Sequence, residues 1–154
     1  MAPSGPTRFD QRARTAGFTP DIRAFPEGTR TARDAAAAIG CDLAQIVKSL
    51  VFLADGRGVL VLTSGANQVD ETRLAATLGA AEVRRASADE VRATTGYPIG
   101  GTPPFGLDTD LDVLCDEDLC THGEVWAAAG SPTSVFAIAP DRLVALTGAR
   151  VTVV

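Results

Sequence analysis

Two apolar runs, residues 46–53 (Ile-Val-Lys-Ser-Leu-Val-Phe-Leu) and 59–63 (Val-Leu-Val-Leu-Thr), flank the tetrapeptide Asp55-Gly56-Arg57-Gly58. β-Branched and aromatic residues favour extended backbone, and an Asp-Gly step supplies the positive φ that a tight hairpin needs. This predicts an antiparallel pair near the middle of the chain, and every other element has to be arranged around it. Residues 8–16 read as a helix ended by Gly17, residues 21–25 as a strand, and Pro26-Glu27-Gly28 as a turn. Thr31 caps an alanine-rich helix through Ile39 that Gly40 stops, and Asp42 with Gln45 makes a capped turn into the first hairpin strand. Residues 70–78 form an amphipathic helix closed by Gly79. A short strand begins at Val83, and Ser87 with Glu90 is a capping box for a helix ending near Thr95. Strands are expected at 111–115, 124–128, 133–138 and 150–154, with a helix at 141–147. Hairpins interleaved with helices predict an α/β (α+β) chain whose sheet is mixed rather than doubly wound.

The 154 residues suit one domain, expected over 7–154, with residues 1–6 as a flexible tail. A composition of 45% hydrophobic and 21% charged residues excludes a disordered chain, and nothing in it suggests a collagen-like repeat. Three cysteines, Cys41, Cys115 and Cys120, are odd in number and lie in no metal-binding spacing, so they read as reduced thiols. No apolar run approaches the roughly 18 residues of a membrane span, and the opening MAPSGPTRFDQRAR lacks the apolar middle of a signal peptide. The expectation is a cytoplasmic protein with no membrane partner, no metal and no cofactor. Its net charge of −5 argues against non-specific binding to long nucleic acid but allows a local basic patch.

Lys48 is the sole lysine among fourteen basic residues, and it sits among apolar neighbours. Arginine is a wide planar fork, whereas lysine is a compact point charge on a thin stem. Lys48 is therefore either an outward strand residue whose ammonium reaches water or a charge aimed into a pocket too narrow for a guanidinium. The stretch Gly96-Tyr97-Pro98-Ile99-Gly100-Gly101-Thr102-Pro103-Pro104-Phe105-Gly106 breaks all periodicity, with four glycines and three prolines. It can aim main-chain N–H groups at a ligand oxygen, or it can be a rigid surface loop that holds Phe105 on the core. His122 reads as an exposed turn residue, so no His-based triad is available. Asp108, Asp110, Asp112, Asp116, Glu117 and Asp118 read as a solvated acidic face. Arg84, Arg85 and Arg92 are either solvated ends of elements or phosphate contacts.

Taken in order, Lys48-Ser49-Leu50-Val51-Phe52, Ser64-Gly65-Ala66-Asn67-Gln68-Val69-Asp70, Leu78-Gly79, Ala86-Ser87, Thr95-Gly96-Tyr97 and Gly100-Gly101 through Pro103-Pro104-Phe105-Gly106 resemble the YbaK/ProX-type aminoacyl-tRNA deacylases. Those proteins are free-standing relatives of the editing domain of bacterial prolyl-tRNA synthetases. The resemblance spans about residues 18–150 and implies a mixed, partly barrel-like sheet surrounded by helices. It also implies hydrolysis in trans of mischarged aminoacyl-tRNA, tRNA-Pro among the candidates, with aminoacyl-tRNA as partner and a synthetase as a second one. Carried over residue by residue, it makes Lys48, Gly100 and Gly101 the catalytic set. Phe25, Thr31, Ser49, Ser64, Asn67, Pro103, Phe105, Gly106 and Gly130 are then the substrate-binding set. Where cysteine-specific members carry Ser-Gly-Gly and then an acidic residue, this chain has Ala128-Ala129-Gly130 and Val135, a departure in the amino-acid pocket rather than in the reaction class. The alternative reading is a non-catalytic module that binds the tRNA acceptor end or a synthetase.

Overall fold

A computed structural model describes residues 3–26 and 31–154. The chain runs α1 (Gly5–Thr15), β1 (Arg23–Ala24), α2 (Ala32–Ile39), β2 (Ile46–Ala54), β3 (Arg57–Ser64), α3 (Glu71–Leu78), β4 (Val83–Arg85), α4 (Ala88–Thr95), β5 (Asp112–Asp116), β6 (Val125–Ala128), β7 (Ser134–Ile138), α5 (Pro140–Thr147) and β8 (Arg150–Thr152). Single 3-10 turns, Leu43–Gln45 and Glu117–Thr121, lead into β2 and out of β5. The expected order of elements is the observed one. Two differences lie near the N-terminus. The strand expected at 21–25 pairs only at Arg23 and Ala24. Of the expected tail, Ser4 caps α1 by accepting from Thr7 N–H, and Gly5 and Pro6 form its first turn. Proline at a helix start loses no hydrogen bond, which is why the helix begins earlier than expected. Beyond Pro26, the expected turn lies outside the described residues.

One eight-stranded sheet carries the fold, in the order β1-β7-β6-β2-β3-β5-β8, with β4 as a branch on β2. The β2–β3 hairpin runs in continuous antiparallel register from Val47↔Ser64 to Ala54↔Arg57. Around it the pairings are mixed: β2 with β6, β3 with β5, and β5 with β8 are parallel, while β1–β7, β6–β7 and β2–β4 are antiparallel. Both faces of β3 are covered. Leu60 and Leu62 pack with Val47, Val51, Phe136, Phe9 and Phe105, whereas Val59 and Val61 pack with Phe52, Leu74 and Leu114. Burial of each such branched or aromatic side chain contributes roughly 1.5–3 kcal/mol. A third cluster joins Ala35 and Ala36 of α2 to Ile46, Trp126 and Val135. No helix among the described residues is long and apolar enough to cross a membrane.

Candidate functional site

The site arises where the sheet forks. On the side of β2 away from β3, Ile46 and Val47 pair with β6, and Phe52 to Ala54 pair with β4. Among the described residues, 48–51 between them carry no strand on that side. Val51 O accepts from Ala86 N–H at 3.0 Å, so Val51 directs its main-chain groups away from β3. Main-chain groups alternate sides along a strand, so those of Ser49 point the same way, into the gap. A cavity of about 320 Å³ opens there. Its walls include Lys48, Ser49 and Leu50 of β2, Thr31 and Ala35 at α2, Arg85 of β4, Trp126 of β6, and Ile99, Gly100 and Thr102 of the irregular loop. Among the described residues the lining contains two cations, several hydroxyls and apolar side chains, but no carboxylate, imidazole or thiol. Among the described residues no cluster of His, Cys, Asp and Glu could hold a metal ion.

Lys48 is half-buried, and its Nζ donates to the main-chain carbonyl of Asn67 at 2.6 Å. Burial pushes its pKa below the ordinary lysine value, and the neighbouring positive charge of Arg85 pushes it further, while Asp116 opposes both. Ser49 Oγ is buried and has no hydrogen-bond partner among the described residues. Leaving such a group unpaired costs about 1–3 kcal/mol, which a hydrogen bond to a bound ligand offsets. Arg84 is taken by Glu90 through two contacts of 2.8 Å, whereas Arg85 lines the cavity with no ion pair among the described residues.

The loop from Gly96 to Gly106 owes its shape to internal bonds and to α1. Gly101 N–H donates to Pro98 O at 2.9 Å, closing a four-residue turn in which Gly100 has φ +81. That is the third position of a type II turn, where an L side chain is strained. Thr102 Oγ1 donates to Pro98 O, and Tyr97 Oη donates to Gly106 O. Arg12 of α1 donates to the same Gly106 carbonyl at 2.9 Å and pairs with Asp108 at 2.8 Å. Arg8 bonds the Gly96 carbonyl and lies over the Tyr97 ring. The segment 101–105 is buried, not a surface loop. Phe105 sits in an aromatic cluster with Phe9, Phe18 and Phe136.

These placements divide the residues singled out in the sequence. Lys48, Ser49, Thr31 and Gly100 meet at one cavity, although Thr31 also caps α2 by accepting from Asp34 N–H at 3.0 Å. The two adjacent glycines do different things. Gly101, which the resemblance puts in the catalytic set, spends its N–H inside its turn, whereas Gly100 N–H has no main-chain partner among the described residues. A Cβ on Gly101 would lie 2.6 Å from the main chain of Ser131, which explains the missing side chain by packing. Gly130 is explained the same way, since its Cβ position is 2.5 Å from Gly5 O at the start of α1. Pro103, Phe105 and Gly106 hold the loop on the core rather than line the cavity. Phe25 packs against the α2–Trp126 cluster, and Ser64 donates to Ala44 O from a buried position. Asn67 stands behind Lys48 instead of facing the cavity.

Asp116 corrects the expected solvated acidic face. Its neighbours Glu117 and Asp118 are exposed, yet Asp116 is only 2% exposed, because it ends β5 pointing inward and accepts three N–H groups. His122 is half-buried rather than exposed. Trp126, Thr102 and Ser134 line the cavity without having been singled out. No periodicity marks them, because the cavity is assembled by a sheet fork that joins distant segments.

The model of the aminoacyl-tRNA editing domain family matches residues 26–146. A Bacillus subtilis protein, the uncharacterised YwhH, is 35% identical over 124 residues, covering 80% of this chain and 78% of its own. The proline–tRNA ligase of Limosilactobacillus fermentum is 36% identical over 97 residues, which is 60% of this chain but 17% of that enzyme. A crystal structure of a candidate trans-editing enzyme for prolyl tRNA synthetase superposes with a TM-score of 0.93 at 41% identity, covering 99% of this chain and 98% of that one.

Proposed function

The chain belongs to the aminoacyl-tRNA editing domain family, and on that premise we propose that it hydrolyses in trans the ester of mischarged aminoacyl-tRNA, with mischarged tRNA-Pro the first substrate to test. The observation that carries the reading is the meeting of Lys48 and the Gly100 turn at one cavity, whose lining among the described residues offers no acid, imidazole or thiol. An aminoacyl ester is already activated, so its hydrolysis needs orientation and charge stabilisation more than a strong nucleophile. Water forms the new bond to the carbonyl carbon, the ester C–O bond breaks, and the terminal ribose leaves as its hydroxyl. The negative charge that gathers on the carbonyl oxygen is met by Gly100 N–H and the Lys48 ammonium. One such donor contributes about 3–4 kcal/mol to lowering a barrier. Ser49 Oγ, buried and unpaired among the described residues, gives the substrate a further hydrogen bond. With no side-chain base among the described lining residues other than Lys48 itself, the water proton leaves through the substrate's own amine or through solvent. A cytoplasmic location accords with such a role.

The test is release of amino acid from a panel of mischarged tRNAs by the purified protein. Catalytic release from at least one of them supports the reading. Binding of the acceptor end without release would make the protein a binding module, and the hydrolytic reading would fall.

A further inference from the structure

Behind Lys48 stands a second set of polar groups that the proposed reaction does not use. Asp116 accepts from Ser64 N–H at 3.0 Å, Asn67 Nδ2 at 2.8 Å and Asp118 N–H at 3.0 Å. Asn67 Nδ2 is shared with Asp118 Oδ2 at 2.7 Å, and the main-chain carbonyl of the same Asn67 receives the Lys48 ammonium at 2.6 Å. The asparagine is thus fixed at its side chain by two carboxylates and offers its main chain to the lysine. A buried carboxylate fully engaged by donors is a rigid anchor, since losing any one partner would leave an unpaired group in the interior.

We propose that Asp116 is a positioning residue for Lys48, acting through Asn67: it fixes the loop carbonyl that holds the ammonium at the cavity wall. This rests on the hydrolytic reading of Lys48 and moves Asn67 from the substrate to the support of the lysine. The charged groups around Lys48 are Arg85 from β4, Asp116 from β5 and, through Asn67, Asp118. Arg85 disfavours the charged lysine and Asp116 favours it. A four-carbon stem has many rotamers, so without the carbonyl the ammonium has no single position.

Lys48 is the chain's sole lysine, so lysine-specific ¹⁵N labelling gives a single side-chain ammonium signal. That signal is followed across pH in the wild type, Asn67→Ala and Asp116→Asn, beside deacylation kinetics. Asn67→Ala leaves the Ser64 and Asp118 bonds of Asp116 in place, so it serves even if Asp116→Asn does not fold. The expected result is faster proton exchange at Nζ in Asn67→Ala and a midpoint moved to lower pH in Asp116→Asn. A fall in kcat of roughly 10- to 100-fold, with KM little changed, should accompany both. An ammonium signal and titration identical to wild type in Asn67→Ala would overturn the anchoring. Altered signals with unchanged kcat would overturn its role in the reaction. A wild type that releases no amino acid from any tRNA would instead sink the hydrolytic reading, while the labelling experiment still decides whether the anchor exists.

Discussion

The substitution Gly101→Ala separates the two glycines of the loop. Its new Cβ would lie 2.6 Å from Ser131 C, 2.7 Å from Ser131 Cα and 2.9 Å from Pro132 N, where ordinary contact begins at 3.4 Å. All three are main-chain atoms, so no side chain can swing aside, and the 131–132 segment must move. Overpacking of this kind costs about 1–3 kcal/mol. For a chain of this length each kcal/mol lowers Tm by roughly 2–4 °C, so the expected fall is about 2–12 °C. Gly100→Ala meets no atom of the described residues within 4 Å, but its φ of +81 costs roughly 1–2 kcal/mol in backbone strain alone. Thermal unfolding by circular dichroism measures both losses, and amide chemical shifts distinguish their causes. Gly101→Ala should displace the signals of residues 131–134, whereas Gly100→Ala should leave them in place. A Gly101→Ala protein with wild-type Tm and unshifted 131–134 amides would refute the packing argument.

Three further outcomes follow from the site's surroundings. Burial, and then the neighbouring Cys120, push the Cys115 thiol up to about 12, so a thiol-reactive disulfide reagent should label exposed Cys120 in the native protein and reach Cys115 only on unfolding. Glu90 is held down to about 2, chiefly by Arg84 and then by Ser87 N–H; its stabilising contribution is complete above the ordinary glutamate value and disappears as pH falls through about 2. Carboxylate NMR should give that midpoint, and Arg84→Ala should raise it toward 4.5. Arg85→Ala removes the positive charge facing Lys48, so the lysine signal should titrate at higher pH than in the wild type; an unmoved midpoint would remove Arg85 from the electrostatics of the cavity.

The hairpin was legible because apolar runs and an Asp-Gly turn are local properties, and two helix stops were legible because Gly40 and Gly79 take positive φ directly after their helices. Lys48 stood out through composition, and it lines the cavity while its ammonium rests on the Asn67 carbonyl. The diglycine was visible as a loop, but nothing in its residue types distinguishes the amide used within the turn from the one left over. Asp116 was misjudged because a run of acidic residues looks solvated; burial of one member depends on strand register and on donors from residues 64 and 67. The cavity itself could not be read, since it lies where β4 and β6 diverge along the side of β2 away from β3.

The hydrolytic role of Lys48 stands most directly on the rate of amino acid release from mischarged tRNA by wild type, Lys48→Ala and Lys48→Arg, each first shown to be folded. It predicts turnover by the wild type and the uncatalysed rate for both variants, because alanine removes the charge and arginine is too wide to hold it in the same place. Wild-type turnover by folded Lys48→Ala would contradict it.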